Sequence, residues 1–111
     1  MSKYKSLHQG DLIRVDFTPV SGHEQAGYRP AIVVSTQASN EKCGGMVTVC
    51  PISHTVKEFP FHVRIESPNV EGAVFCEHVR SLDLSTRNFK FLGKAPEGVV
   101  ENVMHCIHGE L

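Results

Sequence analysis

The sequence lacks the features that would place it in a membrane or an export pathway. Its 111 residues contain no apolar run near the roughly 20 residues that a membrane-spanning helix needs. Residues 1–10 have no apolar core of a signal peptide. No charge run, low-complexity segment or internal repeat is present either. The length suits one domain with one core, so we expect a single domain over residues 1–111, located in the cytoplasm.

The chain also lacks a basic excess and the cysteine spacing of a zinc site. The net charge of −1 argues against a non-specific nucleic-acid binder, but a local basic patch would still suit an RNA enzyme. None of the four cysteines forms a C-x-x-C pair, and reduced cysteines are the default without export. Cys76, His78, His105, Cys106 and His108 are better read as surface histidines and small apolar packing groups than as ligands. We therefore expect no metal and no cofactor.

Apolar and polar residues alternate in several short stretches, which predicts β-strands. The β-branched run at residues 31–36 is typical of a strand covered on both faces. A turn at 41–45 predicts a hairpin between the strands on either side of it, and a short helical turn is predicted over 82–87. The strands predicted in this way are 11–17, 31–36, 46–52, 61–66, 73–80 and 88–92.

The last part of the chain has a different periodicity. Pro96 suits a first helical turn, Glu97 complements the helix dipole there, and Gly109 is a plausible stop. An apolar stripe at helical spacing lies between them, formed by Val99, Val100, Val103, Met104 and Ile107. Short strands followed by one amphipathic helix predict a mainly β fold, a small and strongly curved barrel with the C-terminal helix covering one side.

Polar side chains suited to chemistry gather between the first two predicted strands, where His23, Glu24 and Gln25 precede Arg29. Loops on a rigid scaffold often carry binding and catalytic groups. The planar guanidinium of Arg29 suits a phosphate, although it could equally form a structural salt bridge with Glu24 or Asp16. His23 titrates near neutral pH, and Glu24 could transfer a proton or orient Arg29.

An ordered series of motifs resembles the MazF/PemK (Kid) family of toxin endoribonucleases from bacterial type II toxin–antitoxin systems. The resemblance covers nearly the whole chain after residue 8 and implies an SH3-like β-barrel (CcdB/PemK-like) with a terminal helix. The motifs that carry it are Gly10-Asp11, Val15-Asp16, Gly22-His23-Glu24-Gln25, Arg29-Pro30, Val49-Cys50-Pro51, Phe59-Pro60-Phe61 and Val79-Arg80-Ser81.

The resemblance also implies roles for individual residues. Arg29, Ser53 and Glu24 would be catalytic; the family usually has threonine at position 53, and serine keeps the hydroxyl. The Kid branch has an arginine at position 75, so its replacement by Phe75 removes a guanidinium from that strand. The substrate-binding residues would be His23, Gln25, Thr55, Glu77, His78 and Arg80, where Thr55 is an alternative hydroxyl to Ser53 and Arg80 could also be a plain surface charge.

The implied activity is metal-independent, sequence-specific cleavage of single-stranded RNA, such as mRNA, to leave a 2′,3′-cyclic phosphate and a 5′-OH. Single strands fit this because their unstacked bases expose readable edges. The implied partners are a second copy in a homodimer and a cognate MazE-like antitoxin whose acidic tail competes with RNA, with no membrane. Two alternatives stay open, since fold does not fix function. One is a non-catalytic toxin that binds a protein such as gyrase, and the other is an inactive SH3-like binding module.

Overall fold

The computed structural model describes residues 3–17, 27–54 and 61–109, and within these ranges the protein is mainly β. The two helices are α1 (Gln37–Lys42) and α2 (Glu97–Gly109), and 3-10 turns cover Lys3–Ser6 and Cys76–His78. The strands are β1 (Asp11–Asp16), β2 (Tyr28–Val33), β3 (Met46–Ser53), β4 (His62–Glu66), β5 (Glu71–Phe75), β6 (Arg80–Asp83) and β7 (Phe89–Lys94). Neither helix in the described ranges is long and apolar enough to cross a bilayer.

All strands pair antiparallel in one curved sheet, a half-barrel with the order β4-β5-β3-β2-β1-β7. β3 organises this sheet, because it pairs with β2 along one edge and with two strands along the other. On that second edge, Ile52 and Ser53 pair with β5, whereas residues 46–49 pair with β6. The C-terminal end of β3 therefore lies between β2 and β5.

The sheet has two faces, each with its own apolar core. The front face carries Ile13, Val15, Ala31 and Val49, which pack in a cluster with Phe17. The helix face packs against α2, whose Val103 and Cys106 are buried there. The predicted apolar stripe of α2 lies in this second cluster. The predictions of a mainly β fold and of a C-terminal amphipathic helix are thus confirmed.

The predicted connection between the second and third strands was wrong in its details. β2 and β3 do pair, but α1 occupies most of the connection, and only residues 43–45 turn. The hydroxyl of Thr36 caps this helix by accepting from the Ser39 amide. Asn40 anchors it, because its buried amide donates to the Leu7 carbonyl at 3.0 Å. A helix of only six mostly polar residues carries little apolar periodicity, which explains why the pattern did not reveal it.

The predicted strand 73–80 and helical turn 82–87 were also wrong. The 3-10 turn Cys76–His78 interrupts the strand, so that β5 pairs with the end of β3 and β6 with its beginning. β6 continues to Asp83, and buried Leu82 pairs with Val47. The chain then turns because Asp83 accepts a hydrogen bond from the Ser85 amide at 3.0 Å.

Candidate active site

Arg29 and Ser53 lie on neighbouring strands, on the same face of the sheet. β2 and β3 pair with Ala31 opposite Pro51. Continuing this register by two residues, within both strands, places Arg29 opposite Ser53. Opposite residues of an antiparallel pair project to the same side, and the side of Ala31 is the front face. The structure therefore brings together two residues that are 24 positions apart in the sequence.

The position of Ser53 is fixed by a close approach of β5. Ser53 pairs with Ala73, and Gly72 adjoins it with a φ of +151° that side-chain-bearing residues rarely adopt. A Cβ atom at Gly72 would lie 2.1 Å from the Ser53 carbonyl oxygen. Only glycine allows the two backbones to lie this close. The structural role of Gly72 is thus to seat the end of β3.

A second guanidinium lies further along the same face. Arg80 pairs with Val49 in the β3–β6 ladder, so it projects to the front face. Its guanidinium carbon is 5.7 Å from the centre of the Phe17 ring, a cation–π contact that orients the side chain. Arg29 itself is exposed. Two guanidiniums and a hydroxyl on one side of the sheet can together hold a phosphate-bearing chain.

Four side chains around the end of β5 form a cluster, which we call the His62 cluster: His62, Phe75, Glu77 and His78. Nε2 of His62 donates to Oε2 of Glu77 at 2.8 Å. The His62 ring stacks on Phe75 with 3.9 Å between ring centres, and His78 meets Phe75 edge-on at 5.7 Å. The sequence predicted substrate contacts for Glu77 and His78. It did not identify His62, because strand alternation made it look like an outward-facing residue, and its side chain is only 9% exposed.

The other predicted site residues cannot be compared with the geometry. His23, Glu24, Gln25 and Thr55 lie outside the described residues. Of the remaining five, Arg29, Ser53 and Arg80 share the front face, and Glu77 and His78 occupy the 3-10 turn beside it. The described members of the predicted set thus lie on β2, β3, β6 and the 3-10 turn that follows β5.

Three of the four cysteines contribute to the packing of the apolar core. Cys50, Cys76 and Cys106 are buried and unoxidised in the helix-face core, and Cys43 is an exposed free thiol. Contact with the Cys50 thiol and burial raise the pKa of Cys76, which keeps its sulfur protonated and unreactive. No group of three or more His, Cys, Asp or Glu side chains in these ranges is arranged to hold a metal ion.

Comparison with known proteins adds a second, independent line of argument. Residues 8–109 match the model of the family described as PemK-like, MazF-like toxin of type II toxin–antitoxin systems. The endoribonuclease toxin ChpB of Escherichia coli K12 is 38% identical over 110 residues, covering 94% of this chain and 93% of the relative. The endoribonuclease toxin MazF of the same organism is 39% identical over 89 residues, which is 79% of each chain.

Solved structures agree with these relatives. The crystal structure of MazF from Deinococcus radiodurans superposes with a TM-score of 0.83 at 37% identity, covering 91% of this chain and 92% of that one. A MazE–MazF structure from the same organism gives a TM-score of 0.78 at 34% identity, with 91% and 92% covered. Sequence, fold and the convergence of Arg29 with Ser53 lead to one conclusion: the chain belongs to the PemK-like, MazF-like toxin family of type II toxin–antitoxin systems.

Proposed function

We propose that this protein is a toxin endoribonuclease that cleaves single-stranded RNA, such as mRNA, at specific sequences. The observation that carries the proposal is the pairing of Ala31 with Pro51, because the same register continued by two residues brings Arg29 opposite Ser53. Relatives named as endoribonuclease toxins, with similar length and high coverage, support the same activity. Single-stranded RNA suits this activity because its unstacked bases can be read.

The proposed reaction uses the RNA's own nucleophile. The ribose 2′-oxygen attacks the adjacent phosphorus, the bond from phosphorus to the 5′-oxygen breaks, and a 2′,3′-cyclic phosphate and a 5′-OH remain. One proton leaves the 2′-OH and another reaches the departing 5′-oxygen, so a base and an acid are required. We assign these two proton transfers to Glu24 and His23, which are neighbours in the sequence. No step in this scheme requires a metal ion.

In this scheme, Arg29 and Ser53 stabilise the negative charge of the transition state. Negative charge builds on the phosphoryl oxygens as the pentacoordinate state forms, and preorganised donors lower its energy. The guanidinium of Arg29 provides two parallel donors, and the Ser53 hydroxyl provides a third. Both belong to paired strands of one sheet, which fixes the position of their backbones before the substrate arrives.

The proposal includes partners and location. MazE–MazF complexes of Deinococcus radiodurans support a MazE-like antitoxin, whose acidic tail would compete with RNA for Arg29 and Arg80. We further propose a homodimer, a single domain over residues 1–111, a cytoplasmic location, and RNA contacts by Gln25 and Thr55.

The decisive test of the activity is an RNA cleavage assay in EDTA with wild type and Arg29 variants. Wild type should cleave, and a substrate with deoxyribose at the scissile position should resist because it lacks the nucleophile. Arg29→Ala should lose about 10²- to 10³-fold in kcat, typical of removing one charge-stabilising donor. Arg29→Lys should recover little, since a point-like ammonium cannot reproduce the planar fork.

Arg14→Ala is the matched control. Arg14 lies on β1 opposite Pro30, next to Arg29 in the ladder but on the helix-face side of the strand. Arg14→Ala removes one positive charge from the sheet, as Arg29→Ala does, but leaves the front face unchanged. Its cleavage rate should therefore stay within about twofold of wild type. Cleavage that needs an added divalent ion would contradict the proposed chemistry. Equal activity of Arg29→Ala and Arg14→Ala would contradict the site.

A further inference from the structure

A groove lined by basic and aromatic side chains runs along β7, at the opposite end of the strand order from the His62 cluster. It consists of two adjoining cavities of about 480 and 300 Å³ between the 3-10 turn Lys3–Ser6 and β7. Lys3 and Phe89 line both cavities. We call this surface the β7 groove. Its described lining residues take no part in the proposed bond cleavage.

The groove contains an aromatic ring that is open to solvent. Phe91 is 52% exposed, although it lines the same cavity as the buried Leu7. It lies opposite Ile13 of the front-face core, so its ring projects to the front side of the sheet. A single exposed apolar side chain is ordinary on a protein surface. The charges around Phe91 are what give the ring a possible ligand.

The groove is positively charged, whereas the chain as a whole carries a net charge of −1. Four of its described lining residues are basic, namely Lys3, Arg87, Lys90 and Lys94. Asp11 is the one acidic residue among them, and it is buried. Its carboxylate accepts from Lys94 Nζ at 3.2 Å and from the His8 amide at 2.8 Å. An anionic ligand would therefore meet cations and an already neutralised carboxylate.

The shape of β7 disfavours an added peptide strand as that ligand. β7 ends the strand order, but it contains a bulge at Leu92, because Leu12 pairs with Gly93 and Ile13 with Phe91. The Leu92 carbonyl already accepts from the Asn69 side chain at 2.7 Å. Bulges and lysines on an edge strand hinder the pairing of a further strand. A nucleic acid needs no regular backbone edge, so it fits this groove better than a peptide or a second sheet.

The groove reaches the part of the sheet that carries Arg29. Val15 pairs with Arg29 on one side and with Phe89 on the other, so the backbones of β2 and β7 are about 10 Å apart, two strand spacings, at this level. Arg87, which lines the smaller cavity, donates from Nη1 to the Asp16 carbonyl at 2.9 Å. The smaller cavity thus adjoins the end of β1 that pairs with β2 next to Arg29. A strand held at Arg29 can continue from there into the groove.

We propose that the β7 groove binds the unpaired RNA that flanks the cleaved sequence. Phe91 provides a platform on which a base stacks, and Lys3 and Lys90 contact neighbouring phosphates. A basic groove with an aromatic platform binds single strands with little sequence preference, because every base has a π face. This inference rests on the proposed endoribonuclease activity, and it extends the substrate from a short recognition sequence to a longer single strand.

Lysines on an edge strand also prevent aggregation without any ligand, so the test must isolate RNA binding. Fluorescence anisotropy compares a short and a long RNA that share a cleavage site mapped in a random-sequence pool. Deoxyribose at the scissile position keeps both RNAs uncut. The long RNA adds about eight unpaired nucleotides on each side, a length that single-strand-binding grooves cover. A third RNA carries the same flanks without bases.

The variants remove the ring or one charge. Phe91→Ala removes the platform, Phe91→Tyr retains an aromatic ring, and Lys90→Gln removes a phosphate contact. Met46→Ala is the matched control for the ring, because Met46 is an exposed apolar residue at the start of β3. Lys42→Gln is the matched control for the charge, because Lys42 is an exposed lysine at the end of α1. Sedimentation gives the mass of each variant.

Wild type should bind the long RNA about 10-fold more tightly than the short one, and Phe91→Ala should lose most of this gain. Phe91→Tyr should keep the gain, and RNA with baseless flanks should bind wild type as weakly as intact long RNA binds Phe91→Ala. Lys90→Gln should reduce the slope of log Kd against log salt by about 0.7, on the long RNA only. The controls should match wild type. Every variant should cleave a short all-ribose RNA at the wild-type rate.

Three results would overturn the inference while leaving the endoribonuclease activity intact. The first is equal affinity of wild type and Phe91→Ala for the long RNA. The second is weaker binding of poly-L-glutamate, but not of long RNA, by Phe91→Ala and Lys90→Gln, which would assign the groove to an acidic peptide. The third is a lower mass of Phe91→Ala in sedimentation, which would place the ring between two copies of the chain. A wild-type protein that cleaves no RNA would overturn the proposed function itself, and this inference with it.

Discussion

Replacing Gly72 with alanine tests whether the end of β3 must be placed accurately for activity. The added Cβ atom would lie 2.1 Å from the Ser53 carbonyl oxygen and 2.9 Å from its carbonyl carbon. Carbon and oxygen atoms that are not bonded approach to about 3.3 Å even in favourable C–H···O contacts, so the strands must separate by roughly 1 Å. Both neighbours are backbone atoms, and no side-chain rotation can relieve the clash.

The expected effect is larger on activity than on folding. Forcing extra atoms into a packed site typically costs about 1–3 kcal/mol of unfolding free energy. A displacement of about 1 Å at a catalytic group can reduce the rate about 10²-fold. We therefore expect Gly72→Ala to fold with a reduced urea midpoint and to cleave RNA about 10²-fold more slowly, with Ser53 moved relative to Arg29.

Gly93→Ala provides the matched control. Gly93 lies in β7 with a φ of +133°, and no atom lies within 4 Å of where its Cβ would be. It therefore carries a comparable backbone strain without a steric clash near Ser53. Cleavage rates measured at saturating RNA, alongside urea unfolding, separate the two effects. If Gly72→Ala and Gly93→Ala cleaved RNA at similar rates, the argument that Gly72 seats the catalytic end of β3 would be refuted.

Three further predictions follow from individual side chains. Ser53→Ala should slow RNA cleavage by about 10- to 100-fold because one donor is lost, and Ser53→Thr should retain activity because the hydroxyl remains. Asn40→Ala should reduce the free energy of unfolding by about 1–3 kcal/mol, since it leaves the buried Leu7 carbonyl without its donor; urea unfolding measures this. The Ser85 hydroxyl lowers the pKa of Asp83 in the folded state, so the interaction stabilises the fold above the ordinary aspartate pKa of about 3.9 and is lost as the pH falls through the lowered value. Ser85→Ala should therefore lower the urea midpoint at pH 7, and the difference from wild type should shrink under acid conditions.

Much of the fold could be predicted from local pattern, because period-2 alternation and the apolar stripe of α2 report directly on burial. The failures occurred where tertiary contacts outweigh the pattern. The 3-10 turn Cys76–His78 continues an alternating stretch, yet the chain must turn there to pair both sides of β3. α1 exists because Thr36 caps it and buried Asn40 anchors it, and neither contact has a periodic signature.

The candidate site was predictable in its residue types but not in its geometry. The motif around Arg29 and the hydroxyl at Ser53 were visible through family resemblance. Whether these two residues face each other depends on the register of β2 against β3, which the sequence pattern does not specify. His62 and Glu77 are 15 positions apart, and their pairing depends on the β4–β5 ladder together with the turn that follows it. Such a pair carries no local signal in a single sequence.

The central position of β3 also bears on when activity first arises during synthesis. A ribosome is surrounded by RNA, so a nuclease that became active while still emerging would endanger its own message. Arg29 and Ser53 leave the ribosome well before β5, which seats Ser53, and before α2, which closes the helix-face core. Because domains fold as units once their long-range partners are present, the arrangement delays a competent site until the chain is almost fully made.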